Sequence, residues 1–359
     1  MTVMRKTRAI FLGSLQIGGG APVSVQSMTK TDTRDVETTL AQAKRLEAAG
    51  CEVVRMAVPD MEAADKLAFY KEGLSVPLVA DIHFDYRLAL KALEAGVDGL
   101  RINPGNIGAL WKVREVVAAA RERRVPIRIG VNAGSLERDL LERYGRPSPR
   151  ALVESALRHV FILEDLGYEE IKVSIKASGV RETVEAYQAF AQLRDYPLHL
   201  GVTEAGAGTP GVVKSAGGLS ILLAQGIGDT LRVSLTGDPV AEVEVGWEIL
   251  KALGLRKGGV EIVSCPTCGR CAWDLVSMVE EARKRLSSIK APIKVAIMGC
   301  EVNGPGEARE AHVGLAGGKS GALLFAKGRV VAKVNLASAL DALVDLVKEM
   351  ALEEVEGED

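Results

Sequence analysis

From residue 23 to residue 253 one unit recurs along the chain: a short apolar strand, a loop, then an amphipathic helix. The pattern predicts strands at Val23–Met28, Glu52–Ala57, Pro77–Ile82, Gly99–Asn103, Pro126–Val131, Glu170–Ile175, Pro197–Val202 and Thr230–Leu235. Helical stretches alternate with them, among them Val36–Ala49, Tyr86–Ala95, Ala109–Arg123, Arg150–Leu166, Arg181–Leu193, Val212–Gln225 and Val240–Leu253. Several run into a glycine (Gly50, Gly96, Gly167, Gly226), a common helix stop. Eight such units define an α/β fold, a (β/α)8 TIM barrel over residues 1–253. An open doubly wound sheet is the alternative, but no Gly-x-Gly-x-x-Gly follows the first strand. The first 20 residues, ending in Gly18-Gly19-Gly20, are expected to cap the barrel's bottom.

Residues 254–259, Gly-Leu-Arg-Lys-Gly-Gly, read as a linker to a smaller C-terminal α/β domain over 260–359. That domain is predicted to run strand, cysteine loop, helix, strand, cysteine loop, then short strands and a long helix from Leu336. Lys327-Gly328 is the expected hairpin turn. The 45 basic and 47 acidic residues nearly cancel, so global charge gives no pull toward nucleic acid or membrane. No apolar run is long enough to span a bilayer, and the N-terminus lacks the long apolar stretch of a signal peptide. With an odd number of cysteines, the expected compartment is the reducing cytoplasm.

Five predicted strands share one local word: apolar, basic, apolar, small or polar. It reads Val54-Arg55-Met56-Ala57, Leu100-Arg101-Ile102-Asn103, Ile127-Arg128-Ile129-Gly130, Ile171-Lys172-Val173-Ser174 and Leu231-Arg232-Val233-Ser234. In a barrel, strand C-terminal ends converge on the face where active sites are built. If Arg55, Arg101, Arg128, Lys172 and Arg232 all point inward, they form a cation ring. Two unit charges about 8 Å apart repel by roughly 2 kcal/mol at an effective dielectric of 20, so the ring calls for carboxylates or a polyanionic ligand. Asp81 and Glu204 are the available carboxylates, fewer than the cations. The bland reading turns some of these side chains outward to pair with helix acids, since strand residues alternate faces. Asp81, His83, Asn103, Asn132, Ser174 and Lys176 decorate the same strand ends. Glu204, flanked by small residues in Gly-Val-Thr-Glu-Ala-Gly, is either a general acid or base or an ion-pair partner for the ring.

Four of the five cysteines gather in the C-terminal domain. Cys265, Cys268 and Cys271 lie in Cys-Pro-Thr-Cys-Gly-Arg-Cys, and Cys300 lies in Met-Gly-Cys-Glu-Val-Asn-Gly-Pro-Gly-Glu. Soft thiolates at this spacing select zinc or iron–sulfur chemistry, and disulfides do not suit a reducing compartment. Cys-x2-Cys-x2-Cys with a remote fourth cysteine fits an iron–sulfur cluster. Zinc stays open because His312 could complete three thiolates, although Cys300 has no neighbouring cysteine to form a second knuckle.

Longer motifs carry a specific resemblance. Ser-Cys-Pro-Thr-Cys-Gly-Arg, Met-Gly-Cys-x-Val-Asn-Gly-Pro-Gly-Glu-Ala and Gly-Leu-Ala-Gly-Gly-Lys resemble the 4-hydroxy-3-methylbut-2-enyl diphosphate synthase family, iron–sulfur reductases of the non-mevalonate isoprenoid pathway. In the barrel, Val-Gln-Ser-Met-Thr, Ala-Asp-Ile-His-Phe, Arg-Ile-Asn-Pro-Gly-Asn-Ile-Gly, Gly-Val-Thr-Glu-Ala-Gly and Val-Ser-Leu-Thr-Gly-Asp-Pro are similar in register, so the resemblance covers nearly the whole chain.

The resemblance implies a 4Fe–4S cluster on three cysteines and a glutamate, matching Cys265, Cys268, Cys300 and Glu307. It implies the substrate 2-C-methyl-D-erythritol 2,4-cyclodiphosphate, opened and dehydroxylated with two electrons from ferredoxin or flavodoxin. It also implies a homodimer in which one subunit's cluster domain covers the other's barrel. On this reading the cation ring holds the diphosphate, with Asp81 and His83 beside it. Asn103, Asn132 and Ser174 orient it, and Glu204 supplies a proton. Two positions depart from the family pattern: Glu301 stands where an apolar residue is expected, and Cys271, which spacing alone makes a ligand, becomes a bystander. The rival functions are a zinc-stabilised barrel binding a phosphorylated metabolite without redox chemistry, and a pterin-binding barrel enzyme.

Overall fold

The computed structural model describes residues 3–271, 273–300, 311–318 and 321–356. The chain divides into two compact units, Met1–Arg256 and Lys257–Asp359.

The first unit opens with a hairpin, β1 (Ile10–Leu12) paired antiparallel with β2 (Leu15–Ile17). Eight parallel strands follow: β3 (Ser24–Met28), β4 (Val53–Ala57), β5 (Leu78–Asp81), β6 (Gly99–Arg101), β7 (Ile127–Asn132), β8 (Ile171–Lys176), β9 (His199–Leu200) and β10 (Thr230–Leu231). Their order is β8-β7-β6-β5-β4-β3-β10-β9, and a bridge from Val173 to Leu198 closes β8 onto β9. The last two strands are much shorter than the sequence predicts. Helices alternate with the strands: α1 (Val36–Ala48), α2 (Met61–Gly73), α3 (Tyr86–Glu94), α4 (Pro104–Ile107), α5 (Leu110–Arg123), α6 (Arg138–Tyr144), α7 (Pro149–Asp165), α8 (Val180–Leu193), α9 (Gly208–Ala224) and α10 (Pro239–Ala252). Side-chain caps start several of them: Asp35 accepts from the Thr38 amide, Asp60 from Ala63 and Ser148 from Ala151.

The strand word now has a physical meaning. Its apolar residues, such as Val54, Met56, Leu100, Ile102, Ile127 and Ile129, are buried in the cluster shared with the helices. Its alternate residues line the inside, where a barrel of this class is usually filled by branched apolar side chains. Here Gln26, Arg55, Asp81, Arg101, Arg128, Lys172, Ser174, Lys176, His199 and Thr230 are buried instead. The β1–β2 hairpin packs Ile10, Leu12 and Ile17 against Val53 and Val79, closing the bottom as expected.

The second unit is a five-stranded sheet in the order β11 (Glu261–Ser264), β12 (Lys294–Met298), β13 (Val313–Gly318), β14 (Gly321–Ala326), β15 (Arg329–Val334). The first three strands are parallel and the last three antiparallel. Two helices, α11 (Leu275–Leu286) and α12 (Ala339–Glu356), contribute Leu275, Ala282, Leu286, Leu343, Val344 and Val347 to a core with Val295, Ile297, Val313 and Leu315. The hairpin between β14 and β15 turns at Lys327 (φ 48°) and Gly328 (φ 77°), the paired positive φ of a tight primed turn. Among the described residues, no helix is long and apolar enough to cross a membrane.

Candidate functional site

The barrel's register decides how high each inner side chain stands. Arg101 pairs with Arg128, and Arg128 with Lys172. Strands in such a barrel tilt by about 36°, so each step to the next strand descends by about one residue along the axis. Traced around all eight strands, the inner side chains sort into tiers drawn from alternate strands. Arg55, Arg101, Ser174 and Arg232 share one tier. Asp81, Gly130 and Gly201 stand in the tier above it, then Asn103 and Lys176, then His83, Asn132 and Thr203 at the rim. Arg128, with Gln26 and His199, is one tier below Arg55, and Lys172 is two below. The five cations of the repeated word are therefore not one ring: shear staggers them along the axis.

Arg55, Arg101 and Asp81 form the centre. Arg101 Nη1 donates to Asp81 Oδ1 at 3.1 Å, and its Nη2 donates to the Gly130 carbonyl at 2.9 Å. Arg55 Nε lies 3.6 Å from Asp81 Oδ2, and its guanidinium donates to Met28 Sδ at 2.9 Å. Burial would raise the Asp81 carboxyl, but Arg55, Arg101, Arg128 and His83 outweigh it and hold it at about 2. Burial, reinforced by Arg232 and Arg101, brings Arg55 down to about 10 despite Asp81. Arg128, fully buried, is also held well below the usual guanidinium range by burial and by Arg55 and Arg101; its Nη1 is 3.5 Å from Ser174 Oγ.

Other expected residues are placed differently. Arg232 is gripped by Glu242 of α10, with Nε and Nη2 each 3.2 Å from a carboxylate oxygen, and it shares this acid with Lys30, whose Nζ lies 3.0 Å from Oε1. Glu242 is fully buried and also accepts from Ser27 Oγ and the Leu235 amide. A lone acid on the apolar face of a predicted helix was the signal for it. Asn103 commits its amide to the backbone of Gly130, donating to the carbonyl at 3.0 Å and accepting from the amide at 2.8 Å. Both bonds tie it to β7. Asn132 is half-buried at the rim. His83 is exposed, with Arg101 Nη1 2.9 Å from its Nε2; burial and Arg101 lower its pKa, against Asp81.

Lys176 falls outside the ring that the repeated word predicts, yet it is buried one tier above Asp81. A Cβ on Gly201 would lie 2.5 Å from its Nζ, so glycine makes the room for this ammonium. Burial, then Arg128, Arg55, Arg232 and Arg101, push Lys176 well below the usual lysine range.

Glu204 follows β9 on an exposed loop with φ +52°, the left-handed region that non-glycine residues rarely adopt. Gly206 and Gly208, also at positive φ, complete the same turn. Strained backbone of this kind concentrates at functional sites.

In the second unit, Cys265 follows β11 and Cys300 follows β12, at the same end of neighbouring parallel strands. Gly299 lies between the thiols: its amide donates to Cys265 Sγ at 3.4 Å. A Cβ there would lie 2.6 Å from Cys271 Sγ and 3.4 Å from Cys265 Sγ. Cys271 donates its thiol hydrogen to the Trp273 carbonyl at 3.3 Å, and Cys268 is exposed. Among the described residues no three His, Cys, Asp or Glu side chains are grouped as a metal site. Glu301 and Glu307 lie outside the described residues. The donors nevertheless fit a soft-metal cluster in kind: thiols on adjacent strand-end loops, with the α-carbon of a glycine leaving space beside two sulfurs.

Fold and site together define a (β/α)8 barrel with a cation-rich interior, joined to a thiol-bearing α/β unit. The comparisons narrow this class. The GcpE TIM-barrel domain matches residues 7–247 and the GcpE protein C-terminal domain matches 261–349. The chain belongs to the GcpE family. It is 63% identical to 4-hydroxy-3-methylbut-2-en-1-yl diphosphate synthase (flavodoxin) of Geobacter sulfurreducens, covering 97% of this chain and 99% of the relative. The protein of the same name from Thermodesulfovibrio yellowstonii is 57% identical over 97% of this chain and all of its own length. Among solved structures, 3-dehydroquinate dehydratase from Geobacillus kaustophilus shares the barrel fold at TM-score 0.51 and 13% identity, over 69% of this chain and 99% of its own.

Proposed function

We propose that this chain carries out the reductive ring opening and dehydroxylation of 2-C-methyl-D-erythritol 2,4-cyclodiphosphate to 4-hydroxy-3-methylbut-2-enyl diphosphate, with flavodoxin as electron donor. Family membership supports the reaction, and the relatives' printed name supports the donor. The observation in this chain that carries the reading is the charge imbalance inside the barrel. Arg55, Arg101 and Arg128 face the single carboxylate Asp81 there, while Glu242 is shared by Arg232 and Lys30. A dianion is what such an interior lacks.

Arg55, Arg101 and Arg128 bind the diphosphate from below, and Lys176 reaches it from the upper tier. Asp81 keeps Arg55 and Arg101 aimed inward, and its low pKa keeps it ionised throughout. Ser174 and Asn132 orient the ligand, Asn103 holds the β7 backbone, and His83 stands at the rim. Lys172 acts on the same charge from two tiers deeper. Glu204, on its strained turn, donates the proton with which the substrate hydroxyl departs as water.

Cys265, Cys268, Cys300 and Glu307 would hold a 4Fe–4S cluster, which when bound supplies the two electrons one at a time. The soft donor set beside Gly299 supports this. A homodimer is part of the proposal; the exposed Phe84, next to His83 at the rim, offers apolar surface for a second subunit. Free thiols at Cys265, Cys268 and Cys271 agree with a reducing, cytoplasmic setting.

Anaerobic reconstitution with iron and sulfide should yield a brown protein with about four irons and four sulfides per chain. With reduced flavodoxin, that protein should consume the cyclodiphosphate. A colourless protein with one tightly held zinc, or a fully loaded protein that leaves the substrate intact, overturns the reading.

A further inference from the structure

Below the diphosphate site the barrel holds polar groups that the reaction leaves without a task. Lys172 is 2% exposed, and its Nζ has no hydrogen-bond partner. In the same interior, both ring nitrogens of His199, both amide atoms of Gln26 and the hydroxyl of Thr230 are also buried without partners. Beneath them Leu12 of the hairpin closes the floor, so near that a Cβ on Gly99 would lie 2.7 Å from its Cδ2. The acid that acts on Lys172 is Asp229, whose carboxylate accepts from Thr7 Oγ1 at 2.6 Å and the Leu198 amide at 2.7 Å. This is a built polar site: an unpartnered amine under three guanidiniums, sealed from below.

We propose that Lys172 is a proton-accepting site below the diphosphate, becoming charged when the cyclic diphosphate binds, so that the dianion enters together with a proton that Lys172 takes from solvent. The inference rests on the reading of the barrel as a diphosphate site. Its logic is charge balance. Guanidiniums keep their protons at any ordinary pH, whereas a buried amine gives its proton up readily. Without ligand, the excess positive charge of Arg55, Arg101 and Arg128 is relieved at the amine. Burial first, then Arg128 and Arg55, bring Lys172 to about 7, against the pull of Asp229. Two negative charges roughly 9 Å above it raise that value by about 2.7 pH units at an effective dielectric of 20. The balance is simple: the neutral amine gains a proton, solvent loses one, and no electron moves. The ligand does not confuse the count, because each phosphorus of a cyclic diphosphate bears one strongly acidic hydroxyl that is ionised throughout. Asp81 and Glu242 are the acids facing this interior besides Asp229. Lys176, His83 and His199 are the other groups there able to take a proton; burial keeps His199 neutral, and Lys176, also lowered well below the usual lysine range, adds an uptake of its own that changes at Lys172 leave in place.

The test is calorimetric titration of the oxidised, cluster-loaded full chain with the cyclodiphosphate, without reductant, in buffers of different ionisation heat. Lys172 is expected to contribute uptake of about one proton per chain near pH 8, read as the difference between wild type and the Lys172 variants and fading below pH 6 where Lys172 is already charged. Lys172→Met should lose the proton that Lys172 takes up and bind roughly a few hundredfold more weakly at pH 6 to 7, a gap that narrows at higher pH. Should Lys172→Met not fold, Lys172→Arg, which cannot shed its charge, should also bind without that proton. Wild-type binding without uptake, or full uptake retained in the variants, overturns the proposal. No binding at all overturns the diphosphate reading instead, so the two failures are distinct.

Discussion

Arg101 and Cys265 both serve strand ends, yet the two units fix them by different means. Arg101 sits within β6, where the sheet ladder sets its height, and Asp81 and the Gly130 carbonyl set its direction. Cys265 stands one residue beyond β11, and what the structure shows holding its sulfur is one weak contact from the Gly299 amide. The barrel's inner charges are thus held in place before any ligand arrives. The thiols are gathered on loops, the arrangement in which metal binding itself supplies much of the ordering free energy. The second unit should therefore respond to loss of a ligand through its metal content, and the barrel through rate and stability.

The sharpest test of that contrast lies among the thiols. Cys300→Ser should lose the cluster and all turnover while circular dichroism of the chain stays near wild type. Cys271→Ser should keep iron, sulfide and the brown absorption. Equal loss in both would make Cys271 a ligand, which its closeness to Gly299 allows on distance alone. Glu204→Gln should lower kcat by about 10²–10⁴ and leave KM nearly unchanged, as expected when a proton donor and not a binding contact is removed. A KM effect alone would recast Glu204 as an ion-pair partner.

In the barrel proper, Asp81→Asn should destabilise the chain by about 3–5 kcal/mol, because it leaves buried guanidiniums without their carboxylate. The same carboxylate sets a pH dependence. Its value of about 2 lies below the ordinary 3.8, so its stabilisation is complete above the ordinary value and is lost as pH falls through about 4 toward 2. The loss should be about 2 kcal/mol in urea unfolding of the wild type and missing from Asp81→Asn. An unchanged slope in the variant would place the acid sensitivity elsewhere.

Much of this was legible in the sequence, and the parts that were not have specific causes. Alternation of apolar and basic residues gave the inner face of each strand, because strand side chains have a period of two. The same period reaches Lys176 from Lys172 through Ser174, a signal that the four-residue word cut short. Relative height was not legible: shear belongs to the closed barrel and to no single strand, so Arg101 and Lys172 look equivalent until the register is traced. The pairing of Arg232 with Glu242 is the bland reading realised at one cation; which cation it would be was not legible, since β10 ends at Leu231 and only the fold shows the next side chain turning to the helix acid. The cysteine motifs pointed to soft-metal chemistry, while the proposed choice of fourth ligand rests on Glu307, beyond the described residues.

The smallest expected effect separates function from strain at one residue. At φ +52° Glu204 occupies a backbone region that costs a non-glycine residue about 1 kcal/mol. Glycine is ordinarily the more destabilising replacement, by about 0.5–1 kcal/mol relative to alanine within regular structure. At this turn the order should reverse: Glu204→Gly should unfold at higher denaturant than Glu204→Ala, by about 1 kcal/mol, while both lose catalysis to the same degree. The exposed side chain leaves little packing to lose in either variant, so the difference reports the backbone. Alanine equal to or above glycine would mean that the loop relaxes without strain. Glu204 would then owe its place to chemistry alone, and the turn would not be the device that presents it.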